Sequence, residues 1–473
     1  MTPAARLAAA IEILDSLAAA RTPADQVLKT WGKAHRFAGS GDRRAIAERV
    51  YNTLRARAEL AWAMGAEDGR ALVLGALSRL DGLAPDEIAT LFSGEGHAPA
   101  RLTEAERERL AADPVEPPAD AAAGVPAFVA EALWARYGET WAAEAQALTR
   151  QRAPVDLRVN GLAGGVEGAL RLLALDGIEA ERAPWSSLGL RLPPALAPDI
   201  QKTRVYSTGW IEVQDEGSQI AAALAGARPG WTVVDYCAGG GGKTLALAAQ
   251  MQRSKPDHQT AHPRGSGAPD LSSEEPSAND LGPRFRGDER DMGRLIACDV
   301  DRRRLQAIPE RLKRAGATAE LRLAGPNGEG TEDLAAAADL VLVDAPCSGS
   351  GTWRRHPEGA WRLAPEDVAR LSGLQQAILA RASALVKPGG RLVYVTCSVL
   401  RDENEAVAEA FAAAHPDFRP VLIAEAAATP DLTDAARARL AELAEGGHTV
   451  QLTPLRTGTD GFFVALFERP EIA

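Results

Sequence analysis

Two cysteines follow apolar, strand-like runs in this sequence, and their positions favour nucleophilic chemistry. Cys347 lies in Asp-Ala-Pro-Cys after the run DLVLV, and Cys397 lies in Thr-Cys-Ser after the run RLVYV. The carboxyl ends of parallel strands form the edge at which such sheets bind ligands. A single unpaired cysteine is most often a small core residue. Two cysteines at one such edge instead predict a reaction that uses thiols.

A pair of thiols suits the methylation of a pyrimidine ring. Carbon 5 of cytosine is too weak a nucleophile to attack a sulfonium methyl group unless a thiolate first adds to carbon 6. The proton on carbon 5 must then be removed and the thiolate expelled. The acid of Asp-Ala-Pro-Cys, Asp344, is placed to stabilise charge at N3 of the ring. This chemistry leaves open whether Cys347 or Cys397 is the nucleophile.

The run VVDYCAGGGGKT has the form of a strand, a glycine-rich turn and a helix, which brings backbone N–H groups close to a ligand. A phosphate-binding P-loop would end correctly at its Gly-Lys-Thr, but the first glycine of that motif falls on Cys237. S-Adenosylmethionine would instead need an acid after the second strand for its ribose hydroxyls. Asp299, in LIACDVD, takes that position once the segment 252–293 is set aside.

The bulk composition restricts the class of protein. The chain has 473 residues, of which 46% are apolar, and a net charge of −11 at pH 7. This length predicts two or three domains. The cysteines lack CxxC spacing and are too few for a disulfide framework, so we expect no metal site. Because we find neither a membrane-spanning run nor a signal peptide, we expect a cytoplasmic protein, and nothing requires more than a monomer.

Hydrophobic periodicity divides the chain into three domains and one insertion. Residues 1–115 form successive amphipathic helices, which predicts an all-α domain. Residues 125–212 mix one long helix over 127–148 with strand-like pieces, as in a small α+β domain. Residues 213–473 alternate buried strands with helices, which predicts an α/β domain with a doubly wound, mostly parallel sheet. The polar segment 252–293 is rich in Pro, Gly and Ser and is predicted to be a disordered insertion.

Charge is unevenly distributed along the chain, and two basic regions could contact nucleic acid. A solvated helix face would explain the first region equally well. The second follows Cys347, and its aromatic and basic side chains suit base stacking and phosphate contact. The first region contains Lys29, Lys33, Arg36, Arg43, Arg44, Arg49, Arg55 and Arg57; the second contains Trp353, Arg354, Arg355 and His356.

Six motifs occur in an order that resembles the RNA cytosine-5 methyltransferases, a family with bacterial enzymes of small-subunit ribosomal RNA and eukaryotic nucleolar relatives. They are VQDEGSQ, DYCAGGGGKT, CDVDRRRL, DAPCSGSGTWRRHPE, GGRLVYVTCSVLRDENEAV and LTPLRTGTDGFF. The resemblance covers residues 125–470, and residues 1–115 resemble a NusB-like RNA-binding domain. It implies a Rossmann-like class I methyltransferase fold preceded by an RRM-like domain. It also implies S-adenosylmethionine as cofactor and RNA, most closely ribosomal RNA, as partner.

The resemblance also implies roles for individual residues. Cys397 matches the nucleophile of Thr-Cys-Ser, and Cys347 matches a second cysteine that helps to release the product. Asp344 matches the acid of Asp-Ala-Pro-Cys and Asp299 the acid that binds ribose. The cofactor-binding turn matches Cys237, Ala238, Gly239, Gly240, Gly241, Gly242 and Lys243.

Two departures from the family pattern concern the cofactor site. The family usually has Ala-Pro where this chain has Gly239-Gly240. It often has an acid near the adenine after the third strand, whereas AGPNG at 324–328 supplies none. Asn327 is the candidate substitute.

Two further functions remain open from the sequence. A methyltransferase acting on a protein or a small molecule would share the fold but would not need two strand-end thiols. A non-enzymatic RNA-binding or assembly factor would fit residues 1–115 but would leave the thiol pair unexplained.

Overall fold

The computed structural model describes residues 1–113, 115–193, 199–252 and 293–471 of the chain. The predicted disordered insertion at 252–293 lies outside the described residues except for its two end residues. Within the described ranges, no helix combines the length and the apolar character needed to cross a membrane.

The first part of the chain is helical, and its inner helix faces pack around a core rich in Leu, Ala and Ile. The predicted single helix over 127–148 is instead two helices, separated by a short turn at Gly138–Thr140. Gly138 has φ of +54°, which a right-handed helix cannot include. The helices are α1 (Pro3–Ala19), α2 (Ala24–Ala34), α3 (Ser40–Arg55), α4 (Arg57–Met64), α5 (Gly69–Arg79), α6 (Pro85–Leu91), α7 (Glu104–Ala111), α8 (Ala119–Ala123), α9 (Ala127–Tyr137) and α10 (Trp141–Thr149).

A small four-stranded antiparallel sheet follows, in the order β2-β3-β1-β4. Its one long helix packs with the sheet around buried Leu, Val and Ile side chains. This arrangement agrees with the strand-like pieces and the helix expected between 125 and 212. The elements are β1 (Val155–Val159), α11 (Gly165–Leu175), β2 (Glu181–Arg182), β3 (Gly189–Leu192), α12 (Arg204–Ser207) and β4 (Ile211–Val213).

The last part contains an eight-stranded sheet in the order β10-β12-β9-β8-β5-β6-β7, with β11 also paired to β12. The strands from β5 to β9 are parallel, and β12 runs antiparallel to β9. This confirms the predicted Rossmann-like α/β class. The elements are α13 (Glu216–Ala225), β5 (Thr232–Asp235), α14 (Gly242–Met251), β6 (Arg294–Asp299), α15 (Arg302–Leu305), α16 (Ile308–Ala315), β7 (Glu320–Leu323), β8 (Ala338–Asp344), α17 (Pro365–Ser383), β9 (Val386–Thr396), α18 (Glu405–Ala414), β10 (Arg419–Pro420), α19 (Ile423–Ala426), α20 (Asp434–Ala444), β11 (Thr449–Leu452), α21 (Pro454–Thr457) and β12 (Phe462–Glu468).

The apolar strands lie where their sequence requires. Residues 340–343 of β8 are fully buried, as expected for a strand covered on both faces. The chain runs from β5 outward through β6 and β7, then returns to place β8 on the other side of β5. The strand order therefore reverses beside β5, and ligands of such sheets bind at the carboxyl ends next to this point.

Helices α9 and α10 pack against the loops that follow β8 and β9. Leu133 and Leu148 share one apolar cluster with Trp353, Val399 and Leu400. The helical pair therefore supports the cysteine-bearing loops of the large sheet from outside.

Two glycines allow the loop after β8 to lie directly on the start of β12. The Gly351 N–H donates to the Cys397 carbonyl at 2.9 Å, and the Gly461 N–H donates to the Gly351 carbonyl at 2.8 Å. A Cβ atom on Gly351 would lie 2.1 Å from the carbonyl oxygen of Gly461. No residue larger than glycine fits there without moving the backbone.

We therefore expect Gly351→Ala to lower the free energy of unfolding by about 3 kcal/mol, because the added methyl group forces two backbones apart. Gly373→Ala is the matched control, since Gly373 lies within α17 with open space at its Cβ position. That control should raise the free energy of unfolding by up to about 1 kcal/mol. Urea unfolding followed by circular dichroism measures both; equal stability of the two variants would contradict the close approach.

Candidate active site

The two predicted strand-end cysteines lie side by side. Asp344 of β8 is in register with Val395 of β9, and each cysteine follows in the loop beyond its strand. The Sγ atoms of Cys347 and Cys397 are 3.3 Å apart, within hydrogen-bond distance for thiols. Both side chains are half-buried. The structure thus brings together two nucleophilic groups that are 50 residues apart in the chain.

The environment of the thiols distinguishes them. The hydrogen bond to Cys397, followed by burial, raises the pKa of the Cys347 thiol well above its ordinary value. Cys347 therefore keeps its proton and can donate it toward the Cys397 sulfur. Burial raises the pKa of Cys298 to about 12 and that of Cys237 further still. Cys298 is fully buried within β6, where it serves packing.

The glycine-rich turn between β5 and α14 faces the same cleft. Gly239 has φ of +55°, and the direction in which a Cβ would point is open space. Its N–H donates to Asp299 Oδ2 at 2.8 Å, which joins the turn to the end of β6. Asp299 also accepts from the Asp301 N–H at 2.8 Å. The open approach to Gly239 and the neighbouring carboxylate fit the ribose end of a nucleoside cofactor.

One cleft of about 470 Å³ connects the turn with the thiols. It is lined by six of the residues singled out in the sequence, together with apolar and basic side chains to which the sequence analysis gave no role. The six are Cys237, Gly239, Asp299, Asp344, Cys347 and Cys397; the others include Tyr236, Arg304, Leu374, Ile378 and Arg381.

The rest of the predicted cofactor turn lies outside the lining of this cleft. Ala238 is buried, and Gly242 begins α14. Gly241 has φ of +81° and packs against Ile308, while the Gly240 carbonyl accepts a hydrogen bond from Arg311. These residues determine the conformation of the turn, whereas Gly239 itself lines the cleft.

Lys243 and Asp344 form an ion pair at the base of the cleft. Lys243 Nζ lies 2.8 Å from Asp344 Oδ2, and the Lys243 side chain is 7% exposed. The ammonium group also lies 5.0 Å from the centre of the Phe462 ring. Lys243, predicted as part of the cofactor turn, thus holds the Asp344 carboxylate in position.

Asn327, the residue of the loop at 324–328 that the sequence suggested for contact with adenine, does not line the cleft. Asn327 Nδ2 donates to Glu329 Oε1 at 3.0 Å, and the Asn327 N–H donates to Glu329 Oε2 at 2.9 Å. Ala324, Gly325 and Pro326 line the cleft instead. The acid in this loop, Glu329, lies just beyond the run that the sequence motif indicated.

The predicted RNA contacts after Cys347 require correction for the arginines. Arg354 is 3% exposed, and its Nε lies 2.6 Å from Asp460. Arg355 pairs with both Asp460, at 2.5 Å, and Asp215, at 2.7 Å. Trp353 is buried as well. Because the two arginines pair with acids that are distant in the sequence, they link separate segments of the chain to each other. His356 is the exposed member of the predicted set.

A buried polar network lies behind the two cysteines, and the sequence analysis assigned no role to its residues. It contains Glu403, Asn404 and Gln375, all fully buried. Gln375 Nε2 donates to the Pro346 carbonyl at 3.0 Å, and Asn404 Nδ2 donates to the Ser398 carbonyl at 2.9 Å. The sequence run LRDEN carries two of these residues, but only the fold places them behind the thiols.

Within the described ranges, no group of three or more His, Cys, Asp or Glu side chains is arranged to hold a metal ion.

Comparison with known families matches two stretches of the chain. The family described as 16S rRNA methyltransferase RsmB/F matches residues 289–468. A ferredoxin-like domain of RsmF/B-like methyltransferases matches residues 125–197. The two cover three of the four strands of the small sheet, the preceding helices α9 and α10, and most of the large sheet.

Individual proteins agree with these matches. The chain is 31% identical over 340 residues to ribosomal RNA small subunit methyltransferase B of Pseudomonas syringae pv. tomato, covering 72% of this chain and 64% of the relative. It is similar to the crystal structure of PH0851, with a TM-score of 0.71, 23% identity and 99% of both chains covered. It is also similar to a methyltransferase homolog protein from Pyrococcus horikoshii, with a TM-score of 0.53, 25% identity and coverage of 74% of this chain and 97% of the other. The chain spans less than two thirds of the length of the first of these relatives.

Because Arg354 is buried, Asp460→Asn should leave a guanidinium charge poorly compensated and lower the free energy of unfolding by about 3 kcal/mol. Glu409→Gln is the control, since the Arg401–Glu409 pair is 67% and 64% exposed and should contribute less than about 1 kcal/mol. Urea unfolding at neutral pH compares them. A loss no larger than that of the control would show that the arginine–aspartate cluster adds no net stability.

Proposed function

The matched segments place the chain in the RsmB/F family of 16S rRNA methyltransferases, and we propose that it methylates carbon 5 of a cytosine in small-subunit ribosomal RNA. The observation that carries the proposal is the pair of thiols, Cys347 and Cys397, 3.3 Å apart in one cleft with Asp299 and Asp344. A methyltransferase acting on a protein or small molecule has no use for such a pair.

The cofactor of the proposed reaction is S-adenosylmethionine, which supplies an electrophilic methyl group when bound. Asp299 would hold the ribose hydroxyls of the cofactor. Gly239, which has no side chain, would allow the cofactor to approach the backbone of the turn closely. Tyr236, Ile378 and the loop at 324–326 supply the apolar walls of the cleft. Asp344 borders both this region and the thiols, so one carboxylate reaches the cofactor and the target base.

In the proposed mechanism, the Cys397 thiolate adds to carbon 6 of the cytosine. The electrons of the carbon 5–carbon 6 double bond move onto carbon 5, which becomes able to take a methyl group. Asp344, held by Lys243 at 2.8 Å, stabilises positive charge at N3 of the ring. Solvent water takes the carbon 5 proton, and the electrons of that C–H bond restore the carbon 5–carbon 6 double bond. The carbon 6–sulfur bond breaks with its electron pair on sulfur, so Cys397 leaves as a thiolate.

Cys347 fits the role of the second thiol. It retains its proton because the contact with Cys397 raises its pKa. It can therefore donate to the Cys397 sulfur as that sulfur leaves carbon 6, which makes the sulfur a better leaving group. The target base must leave its stack to reach both thiols, so unpaired RNA is the preferred substrate.

A surface on α2 and the start of α3, which we call the basic-aromatic surface, fits the docking of that RNA. Its exposed cations are Lys29, Lys33, Arg36, Arg43 and Arg44, and none forms an ion pair within the described residues. Their charges are thus free for phosphate groups.

Rings lie between these charges. Trp31 stacks on His35 with ring centroids 4.2 Å apart, and His35 meets Phe37 edge to face at 5.7 Å. Phe37 is 73% exposed, an unusual position for a phenylalanine unless it stacks with a partner. The Arg43 side chain lies over Gly32, so a charge from α3 joins those of α2.

The first test of the proposed function incubates wild type, Cys397→Ala and Cys347→Ala with unmodified small-subunit ribosomal RNA and methyl-labelled S-adenosylmethionine. We expect Cys397→Ala to lose at least 100-fold in methylation, because the ring is no longer activated. Cys347→Ala should accumulate a covalent RNA adduct that survives denaturing electrophoresis, because release is slowed. Bisulfite sequencing locates the methylated cytosine.

Cys298→Ala is the matched control, since that thiol is buried within β6, and it should retain methylation. If Cys397→Ala still methylates RNA, the nucleophile is wrongly assigned. If wild type labels none of the RNA tested, the proposed function fails.

The basic-aromatic surface has its own test by fluorescence anisotropy with labelled RNA. The combined variant Lys33→Gln, Arg36→Gln and Arg43→Gln should reduce the slope of log Kd against log salt by about 2, through three lost phosphate contacts. Phe37→Ala should weaken binding roughly tenfold by removing one stacked base. Arg101→Gln, at a side chain 76% exposed elsewhere in the helical part, should bind as wild type does. An unchanged salt slope would rule out phosphate contacts here.

A further inference from the structure

Glu403 is a fully buried carboxylate that contacts the residues next to both cysteines. Its Oε1 accepts hydrogen bonds from the Ser348 N–H at 2.8 Å and from Gln375 Nε2 at 3.0 Å. Its Oε2 accepts from Ser348 Oγ at 2.5 Å and from Ser398 Oγ at 2.6 Å. Ser348 directly follows one cysteine and Ser398 directly follows the other. A single carboxylate therefore joins the two loops.

Glu403 is itself held in place by residues of the sheet and of α17. The Tyr394 hydroxyl, on β9, donates to the Glu403 carbonyl at 2.5 Å, and its oxygen lies 3.1 Å from Gln375 Oε1. Tyr394 is fully buried, so this support is part of the core. The loops beyond the strand ends are consequently fixed to the sheet through Glu403.

Building on the proposed function, we infer that Glu403 is a positioning residue that keeps the Cys347 and Cys397 thiols within hydrogen-bond distance, so that both can act on one ring. The strand ladder ends at Asp344 and Val395, before either cysteine. Beyond that point, Glu403 bonds to Ser348 and Ser398 and thereby links the two loops. The backbone contact of Gly351 and the hydroxyl of Ser350, which accepts from the Val399 N–H at 3.0 Å and lies 3.0 Å from the Ser398 hydroxyl, add to this link.

The charge of Glu403 gives it a second effect on the pair. Among the described residues it forms no ion pair, and its side-chain partners are neutral hydroxyl, amide and backbone groups. A negative charge without a neighbouring cation disfavours a second negative charge nearby. After the Cys397 contact and burial, this charge contributes to the raised pKa of Cys347. Glu403 thus favours a protonated Cys347.

Three variants separate position from charge. Glu403→Gln keeps the size and the hydrogen bonds, because a glutamine amide can donate to serine hydroxyls and its oxygen can accept from the Ser348 N–H. Glu403→Ala removes both the link and the charge. Glu409→Gln is the control, since Glu409 lies on α18 with a side chain 64% exposed.

The first measurement is the rate at which diamide, a two-electron oxidant, converts the Cys347 and Cys397 thiols to a disulfide. The reaction removes two protons and two electrons from the thiols and requires the sulfurs to close from 3.3 Å to about 2 Å. We expect Glu403→Ala to react at least fivefold more slowly than wild type. Glu409→Gln should stay within twofold of wild type, and Glu403→Gln should react no more slowly than wild type, because the conservative variant keeps the position of the two thiols.

The second measurement is the pH profile of iodoacetamide alkylation at Cys347, read by peptide mass spectrometry. Glu403→Gln should shift its midpoint down by roughly half a unit or more, because a negative neighbour is lost. Glu409→Gln should not shift it. A purely structural role for Glu403 would leave the profile of this variant unmoved.

A wild-type disulfide rate in folded Glu403→Ala would overturn the inference. If Glu403→Ala fails to fold by circular dichroism, a Glu403→Gln profile equal to that of wild type would overturn it instead. Both assays use the full chain without RNA or cofactor. A failure of the proposed RNA methylation is therefore distinguishable from a failure of this inference.

Discussion

The in-register pairing of β8 with β9 sets where the two thiols can meet, and the other features of the site depend on it. Asp344 is paired with Val395. Cys347 follows Asp344 by three residues and Cys397 follows Val395 by two, so both cysteines leave the sheet at nearly the same position along the strands. A parallel strand advances about 3.3 Å per residue. A slip of one residue would therefore add a displacement as large as the whole distance between the sulfurs. The fully buried residues 340–343 oppose such a slip, because it would exchange their side chains between two closely packed faces and disrupt the packing on both.

Beyond the ends of β8 and β9, hydrogen bonds and ion pairs of buried polar groups position the loops. Glu403 bonds to both cysteine-bearing loops, and Arg354 and Arg355 bond to acids from two distant segments, Asp215 and Asp460. Such groups are costly to bury unless each is paired, so the paired arrangement is far more stable than a loosened one. These pairs hold the loops in place beyond the strand ends, as the proposed reaction with two thiol steps requires.

The sequence predicts the sheet and most of the cleft because both depend on local patterns. Continuous apolar runs indicated the strands β5, β6, β8 and β9, and the motifs indicated Asp299, Asp344 and both cysteines. Positive φ at Gly138 could not be read from a helical periodicity that continues on both sides. Charge alone made Arg354 resemble a surface residue, because its partners lie more than 100 residues away in the chain. Glu403 was missed for the same reason: its effect arises from contacts to two loops that only the fold brings together.

The close approach of the thiols makes the pair asymmetric. Two sulfurs 3.3 Å apart disfavour a second negative charge, so at most one of them is ionised at a time. The contact with Cys397, burial and the charge of Glu403 raise the pKa of Cys347, so Cys347 is the thiol that keeps its proton. In the proposed mechanism, the Cys397 sulfur accepts a hydrogen bond less well once it bonds to carbon, and the Cys347 proton regains a strong acceptor only when that bond begins to break. The same contact would therefore assist the departure of the nucleophile.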